Sequence, residues 1–253
     1  LKYSLLKLKV SIDRDKNTLK NKESQQLISQ ALENKKQLST DQLMDLFYLR
    51  MDKSIVEELL GRVNPDTLYI DGSPYTESDI LAMNYELAQE QKNTDEKKQA
   101  LFKTIESYEK LLKKYGENTR SLNMGYIYYL GQSDDFSKTE KMIRKMTTKY
   151  PDEFTFHYQA AKIYWDKKII QKAKEHIQSA VQYSYGDNKL RSLDRALQIA
   201  LDNQEDQAFL TKMIENSEEV IKNLKSTETL KIRTEKYIKK LNESLEQAKK
   251  NKK

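Results

Sequence analysis

His157 and His176 are the only histidines in the chain, and there is no cysteine. Without thiols there is no disulfide, thiolate nucleophile or cysteine-based zinc site. A helical metal site places a second histidine or a carboxylate three or four residues beyond the first. His157 is followed at those positions by Ala160 and Ala161, and His176 by Ser179 and Ala180. The spacing puts His157 on an inward-packing helix stripe and His176 on the outer side of another helix, so neither is expected to do acid–base or metal chemistry. Carboxylates are plentiful but dispersed. "SDD" at 133–135 and "NQED" at 203–206 precede helical runs, where a carboxylate caps orphan N–H groups and favours the positive end of the helix dipole. No glycine-rich phosphate loop, nucleophile elbow or zincin helix occurs. The expectation is a non-catalytic chain with no catalytic residue, no metal and no cofactor.

The elements that must carry any function are helical. The chain has 253 residues, 33% of them charged, with only 6 glycines and 3 prolines. Turn-rich β architectures need more of both, whereas long charged helices do not. No apolar stretch reaches the roughly 18–20 residues that span a bilayer. The formal charge of +6 is localised. Residues 222–253 hold eleven Lys/Arg and four Glu, a balance of +7, which leaves the other 221 residues at −1. The basic character therefore belongs to a tail.

Along the chain, "LKLKVSID" at 6–13 alternates like a strand. It pairs with something outside this sequence, or it lies as an extended arm on the helical body. Residues 22–36, 40–51 and 53–62 read as helices, the second opened by a capping box at Ser39–Gln42. "NPDTLYIDGSPYTESD" at 64–79 gathers two prolines and Gly72 and reads as a loop and boundary, with Leu68, Tyr69 and Ile70 packing down. From Ser78 helices follow one another to the end. The expected organisation is a helical region with an extended arm over 1–65, a loop over 66–77, a repeat array over 78–225 and a basic amphipathic helix over 226–253.

The array repeats itself. "KTIESYEKLLKKYGEN" at 103–118 and "KTEKMIRKMTTKYPDE" at 138–153 keep their apolar positions. Thr104, Thr139, Ala173 and Ala208 form a register of small residues, with Tyr108, Ile143 and Ile177 four places on and Leu111, Met146 and Ala180 three further. That is one helical stripe, and a 34–35-residue period means stacked helix pairs. The alternate helices place Gly125, Ala161 and Ala196 three residues before Tyr128, Tyr164 and Ile199. Lys212 and Glu215 fall where apolar residues are expected in the last pair. In the final segment Leu230, Tyr237, Ile238, Leu241, Leu245 and Ala248 share one side. This segment caps the array, self-associates as a coiled coil, or offers a basic contact surface.

These patterns resemble the tetratricopeptide repeat. The match is carried by residues 103–118, by "MGYIYYLG" at 124–131 with Gly125 at the close-packing site, and by "HYQAAKIYW" followed by "KAKEHIQSAVQYSYGDN". It is closest over 118–187 and extends in outline over 78–221. The resemblance implies a right-handed superhelix of antiparallel helix pairs. With the capping segment and the short N-terminal strand read above, the expected fold is an all-α superhelix with a C-terminal capping helix and one short N-terminal strand. It also implies a concave groove lined by the first helix of each pair. On this chain that groove would present Leu122, Tyr126, Tyr129 and Leu130, then Tyr158, Lys162, Trp165 and Asp166, then Leu197 with Leu193, Ala200 and Leu201. In the helix containing residues 121–131 the core is then expected to take Met124, Gly125 and Tyr128, leaving Tyr126, Tyr129 and Leu130 spare.

Tyrosine and tryptophan bring contact area with few rotors, which suits a binding surface. The expected activity is a scaffold that binds, and stabilises, a peptide segment or helix of another protein. The groove filled by the chain's own helices is the competing arrangement. An RNA-binding array of pentatricopeptide type is the alternative function, but a body at −1 gives phosphate little compensation. Membrane contact would come only through the basic tail or an N-terminal anchor removed from a chain that starts at Leu1. The richness in Lys, Asn, Ile and Tyr resembles the repeat proteins of AT-rich bacteria such as spirochaetes. With no cysteine, this leans the expected location toward a bacterial extracytoplasmic site, periplasmic or membrane-anchored, with the cytoplasm as the alternative.

Overall fold

The computed structural model describes residues 20–116, 119–203, 206–224 and 232–251. Every regular element among them is helical, and the fold is all-α. The alternating segment 6–13 and Leu230 lie outside the described residues. The chain divides into two compact units, Leu1–Asp134 and Asp135–Lys253.

The first unit contains α1 (Lys22–Glu33), a 3-10 turn (Lys35–Gln37), α2 (Thr40–Arg50), α3 (Lys53–Leu60), α4 (Glu77–Glu90), α5 (Thr94–Tyr115) and α6 (Arg120–Gly131). Local chemistry sets the helix starts. Ser39 Oγ accepts from Gln42 N at 3.3 Å while Ser39 N donates to Gln42 Oε1 at 2.9 Å, the reciprocal box that the sequence predicts. Thr76 and Asp79 form a second box at α4, and Asn93 caps α5 through Glu96 N. The end of α5 falls at Gly116, whose φ of 82° only glycine adopts cheaply.

One apolar cluster runs through Ile28, Leu43, Phe47, Ile55 and Leu59 and continues into Ile80, Met83 and Leu87 of α4. The expected boundary loop at 66–77 does not interrupt it. Ile70 N donates to Tyr75 O at 3.0 Å and Ser73 N to Ile70 O at 2.8 Å, so the loop closes on itself. Ile70 is driven into the core while Tyr69 stays exposed. The division into compact units falls at Asp134–Asp135, between the two helices of one expected repeat.

The second unit contains α7 (Phe136–Lys149), α8 (Phe154–Asp166), α9 (Ile170–Tyr183), α10 (Gly186–Asp202), α11 (Gln207–Leu224) and α12 (Ile232–Asn251). Each helix packs on the next, and α12 packs on both α10 and α11, burying Leu241, Leu245 and Ala248. Asp135 and Asp206 cap α7 and α11 through Lys138 N and Phe209 N.

The small-residue register holds at Thr104, Thr139 and Ala173, all buried together with Tyr108, Ile143, Ile177, Leu111, Met146 and Ala180. Threonine can serve where alanine does because each hydroxyl bonds the carbonyl four residues back. Thr104 reaches Ala100 O and Thr139 reaches Asp135 O, both at 2.8 Å. The register fails in α11. Ala208, Lys212 and Glu215 face solvent, and Phe209, Leu210, Met213, Ile214 and Ser217 turn inward. Rotating α11 in this way buries its large apolar residues and keeps two charges in water.

Candidate partner-binding face

Two groups of expected groove residues have different fates. In the first unit Leu122, Tyr126, Tyr129 and Leu130 are all buried, none more than 7% exposed. Tyr129 meets Tyr85 of α4 edge-on at 5.8 Å and stacks on Tyr108 of α5 at 5.9 Å, and Tyr126 tilts against Tyr108 at 6.5 Å. Tyr126 Oη donates to Glu109 Oε1 at 2.8 Å. Tyr128, expected in the core of α6, is instead 36% exposed. The helix is apolar around most of its circumference, so periodicity alone cannot orient it. The closer fit of Tyr126 and Tyr129 against Tyr108 decides the rotation. Gly125 does take the close-packing position, as the Tyr108 ring of the preceding helix α5 lies too near for a side chain there.

In the second unit Leu197, Leu193 and Ala200 are fully buried and Leu201 partly so, whereas Tyr158, Lys162 and Trp165 stay half-buried and Asp166 is exposed. Tyr158, Lys162 and Trp165 stand at i, i+4 and i+7 on α8, and Arg191 and Arg195 stand one turn apart on α10. The two rows interleave. The Arg191 guanidinium carbon lies 5.8 Å from the Tyr237 ring of α12 and 5.5 Å from Tyr158. That of Arg195 lies 6.0 Å from Tyr158 and 5.0 Å from Trp165. The result is a ladder running Tyr237, Arg191, Tyr158, Arg195, Trp165. Cation–π contacts of this kind contribute about 0.5–1 kcal/mol each at exposed sites.

The polar atoms of the ladder are unevenly satisfied. Trp165 Nε1 donates to Asp202 Oδ2 at 2.7 Å, and Lys168 approaches the same carboxylate at 3.8 Å. Asp194 accepts from Ser244 Oγ at 2.6 Å and from Gln198 Nε2 at 3.1 Å. Asp166 pairs with Lys162 at 4.0 Å. Arg191 Nη1 reaches Asn188 Oδ1 at 3.5 Å. Among the described residues Arg195 makes no ion pair, and its Nε is buried with no hydrogen-bond acceptor. A buried donor without an acceptor costs about 1–3 kcal/mol. Arg191, Arg195 and Asp202 escape the sequence reading, which places Tyr237 only on the apolar side of the final segment. The i, i+4 arginine pair flanking the Leu190, Leu193, Leu197 stripe is the signal that points to the two arginines.

No family model, no curated protein and no solved structure matches this chain. The site therefore rests on its own geometry.

The histidines form the other polar cluster of the second unit. His157 and His176 approach through their Nδ1 atoms at 3.1 Å, although the spacing placed His176 on the outer side. His157 Nε2 lies 2.8 Å from Pro151 O, a carbonyl that can only accept. His157 therefore carries its proton on Nε2, and His176 donates from Nδ1. Tyr164 stacks on His176 at 5.4 Å with planes 3° apart. Burial, followed by the neighbouring His157, pulls His176 down to about 4, so the His176 ring is neutral in neutral solution. Among the described residues no group of three or more His, Cys, Asp or Glu side chains could hold a metal ion, and no helix is long and apolar enough to cross a membrane.

Proposed function

We propose that this chain is a tetratricopeptide-like helical scaffold that binds a segment of another protein and performs no catalysis. The observation that carries the reading is the half-buried ladder of Tyr158, Arg195 and Trp165 in the second unit. These side chains are pre-ordered by stacking, so little rotamer entropy remains to be lost when a partner covers them. Aromatic and arginine side chains are also the residue types that dominate interface energetics. The buried tyrosines of α6 belong to the scaffold's own packing in this reading, and the working surface is confined to α8, α10 and the start of α12.

The test compares partner capture from the source cell lysate by the wild type and by Tyr158→Ala/Trp165→Ala, with circular dichroism to show that the variant folds. Enrichment of one protein by the wild type and its loss in the folded variant is the expected result. Equal capture by both would remove this face from the proposal.

A further inference from the structure

We infer that the ladder recognises an acidic side chain of the partner, with Arg195 as the residue that receives the carboxylate. The inference rests on the partner-binding reading above and adds the chemistry of what is bound.

Three observations converge on Arg195. Its guanidinium carbon lies over the rings of Tyr158 and Trp165, at 6.0 and 5.0 Å, which restrains the group before any ligand arrives. Among the described residues none of its N–H donors has a hydrogen-bond acceptor, and Nε is buried away from water. The carboxylates of its neighbourhood are committed elsewhere: Asp194 to Ser244 and Gln198, Asp202 to Trp165 and Lys168, Asp166 to Lys162. A planar fork of donors that is ordered, partly desolvated and unneutralised matches a carboxylate, which accepts two parallel N–H bonds. Lysine offers no such planar fork.

The same face argues for a peptide over a polynucleotide. Asp166 and Asp202 are exposed beside Trp165. A continuous row of phosphates passing Arg195 would meet both of them, whereas a peptide can present one acid at Arg195 and a neutral or basic residue a turn away.

The experiment probes the full chain against an array of random 12-residue peptides, with poly(U) RNA as competitor. Bound peptides are expected to be enriched in Asp and Glu. In each, one Glu→Gln or Asp→Asn change should weaken binding at least tenfold to wild type and change nothing in Arg195→Gln. Arg195→Lys, which keeps charge and packing bulk, should lose most of the same tenfold and guards against a misfolded Gln variant. Trp165, the only tryptophan, should report the encounter by its fluorescence.

If acid-to-amide changes weaken binding equally in wild type and Arg195→Gln, or bound peptides show no acidic enrichment, the inference is overturned. The partner-binding face then survives provided Tyr158→Ala/Trp165→Ala still abolishes capture. If no peptide binds, or binding ignores both aromatic substitutions, both readings fall. Displacement of every peptide by poly(U) at lower concentration would overturn the acidic-peptide assignment in favour of nucleic acid.

Discussion

A Cβ placed on Gly125 would sit 2.3 Å from Tyr108 Oη and 2.5 Å from Cζ. Tyr108 cannot move aside freely. Its hydroxyl donates to Asp79 Oδ1 at 3.0 Å, and its ring is held by Tyr126 and Tyr129. Burial, followed by the Asp79 charge, raises its phenol well above the ordinary value, so it remains neutral. Gly125→Ala should therefore destabilise the first unit by about 1–3 kcal/mol. Tyr108→Phe alone should cost about 1 kcal/mol, because Asp79 keeps its bonds to Thr76. The double variant should cost less than the sum, since removing the hydroxyl removes the nearest clash. Urea unfolding of the four proteins gives the cycle, and strict additivity would contradict the contact.

The two tyrosine groups should separate stability from binding. Tyr126→Ala or Tyr129→Ala empties a packed ring cluster and should cost about 3 kcal/mol. Trp165→Ala, at a half-buried site, should cost about 1 kcal/mol and take binding with it. Thermal unfolding alongside a binding assay reads both. A stable Tyr129→Ala protein would mean that α6 is oriented differently.

Stability should depend on pH through His176. Its pKa is about 4 in the folded chain against 6.5 as a free side chain. The unfolded chain therefore binds more protons between those values. The contribution is complete above pH 6.5 and is lost as pH falls toward 4. With the shift discounted for partial exposure, it amounts to on the order of 2 kcal/mol. His176→Asn keeps a donor toward His157 and does not titrate, so the difference between wild type and variant should shrink across that window. An unchanged difference from pH 7 to 4.5 would refute a buried neutral His176.

Ser39→Ala should lower stability by about 1 kcal/mol through loss of the α2 cap. Gln42→Ala should add little once Ser39 is gone, because the two bonds are reciprocal. Chemical denaturation of the two single variants and the double variant checks this.

The helices, their caps and the buried small residues were legible because each depends on neighbours within a few positions. Ser39 and Gln42 are three apart, Asp135 caps a helix whose N–H groups follow it directly, and Thr104 bonds a carbonyl one turn back. The stripe through Thr139, Ile143 and Met146 is likewise a property of one helix. By itself the sequence thus determined an all-α chain, most helix limits and the inward stripes of α5, α7 and α9.

Tertiary structure decided how α6 and α11 are rotated, because a helix with apolar residues on more than one face has several stripes of similar hydrophobicity. Only the shape of the facing surface chooses among them, as Tyr108 does for α6. It also decided which side chains meet across helices. His157 and His176 are 19 residues apart, Arg195 lies 30 residues from Trp165, and Arg191 lies 46 from Tyr237. Packing of α8 with α9 and of α10 with α12, and the reach of the arginine side chains from α10 to α8, bring these groups to contact distance, and no periodicity along a single helix encodes that encounter.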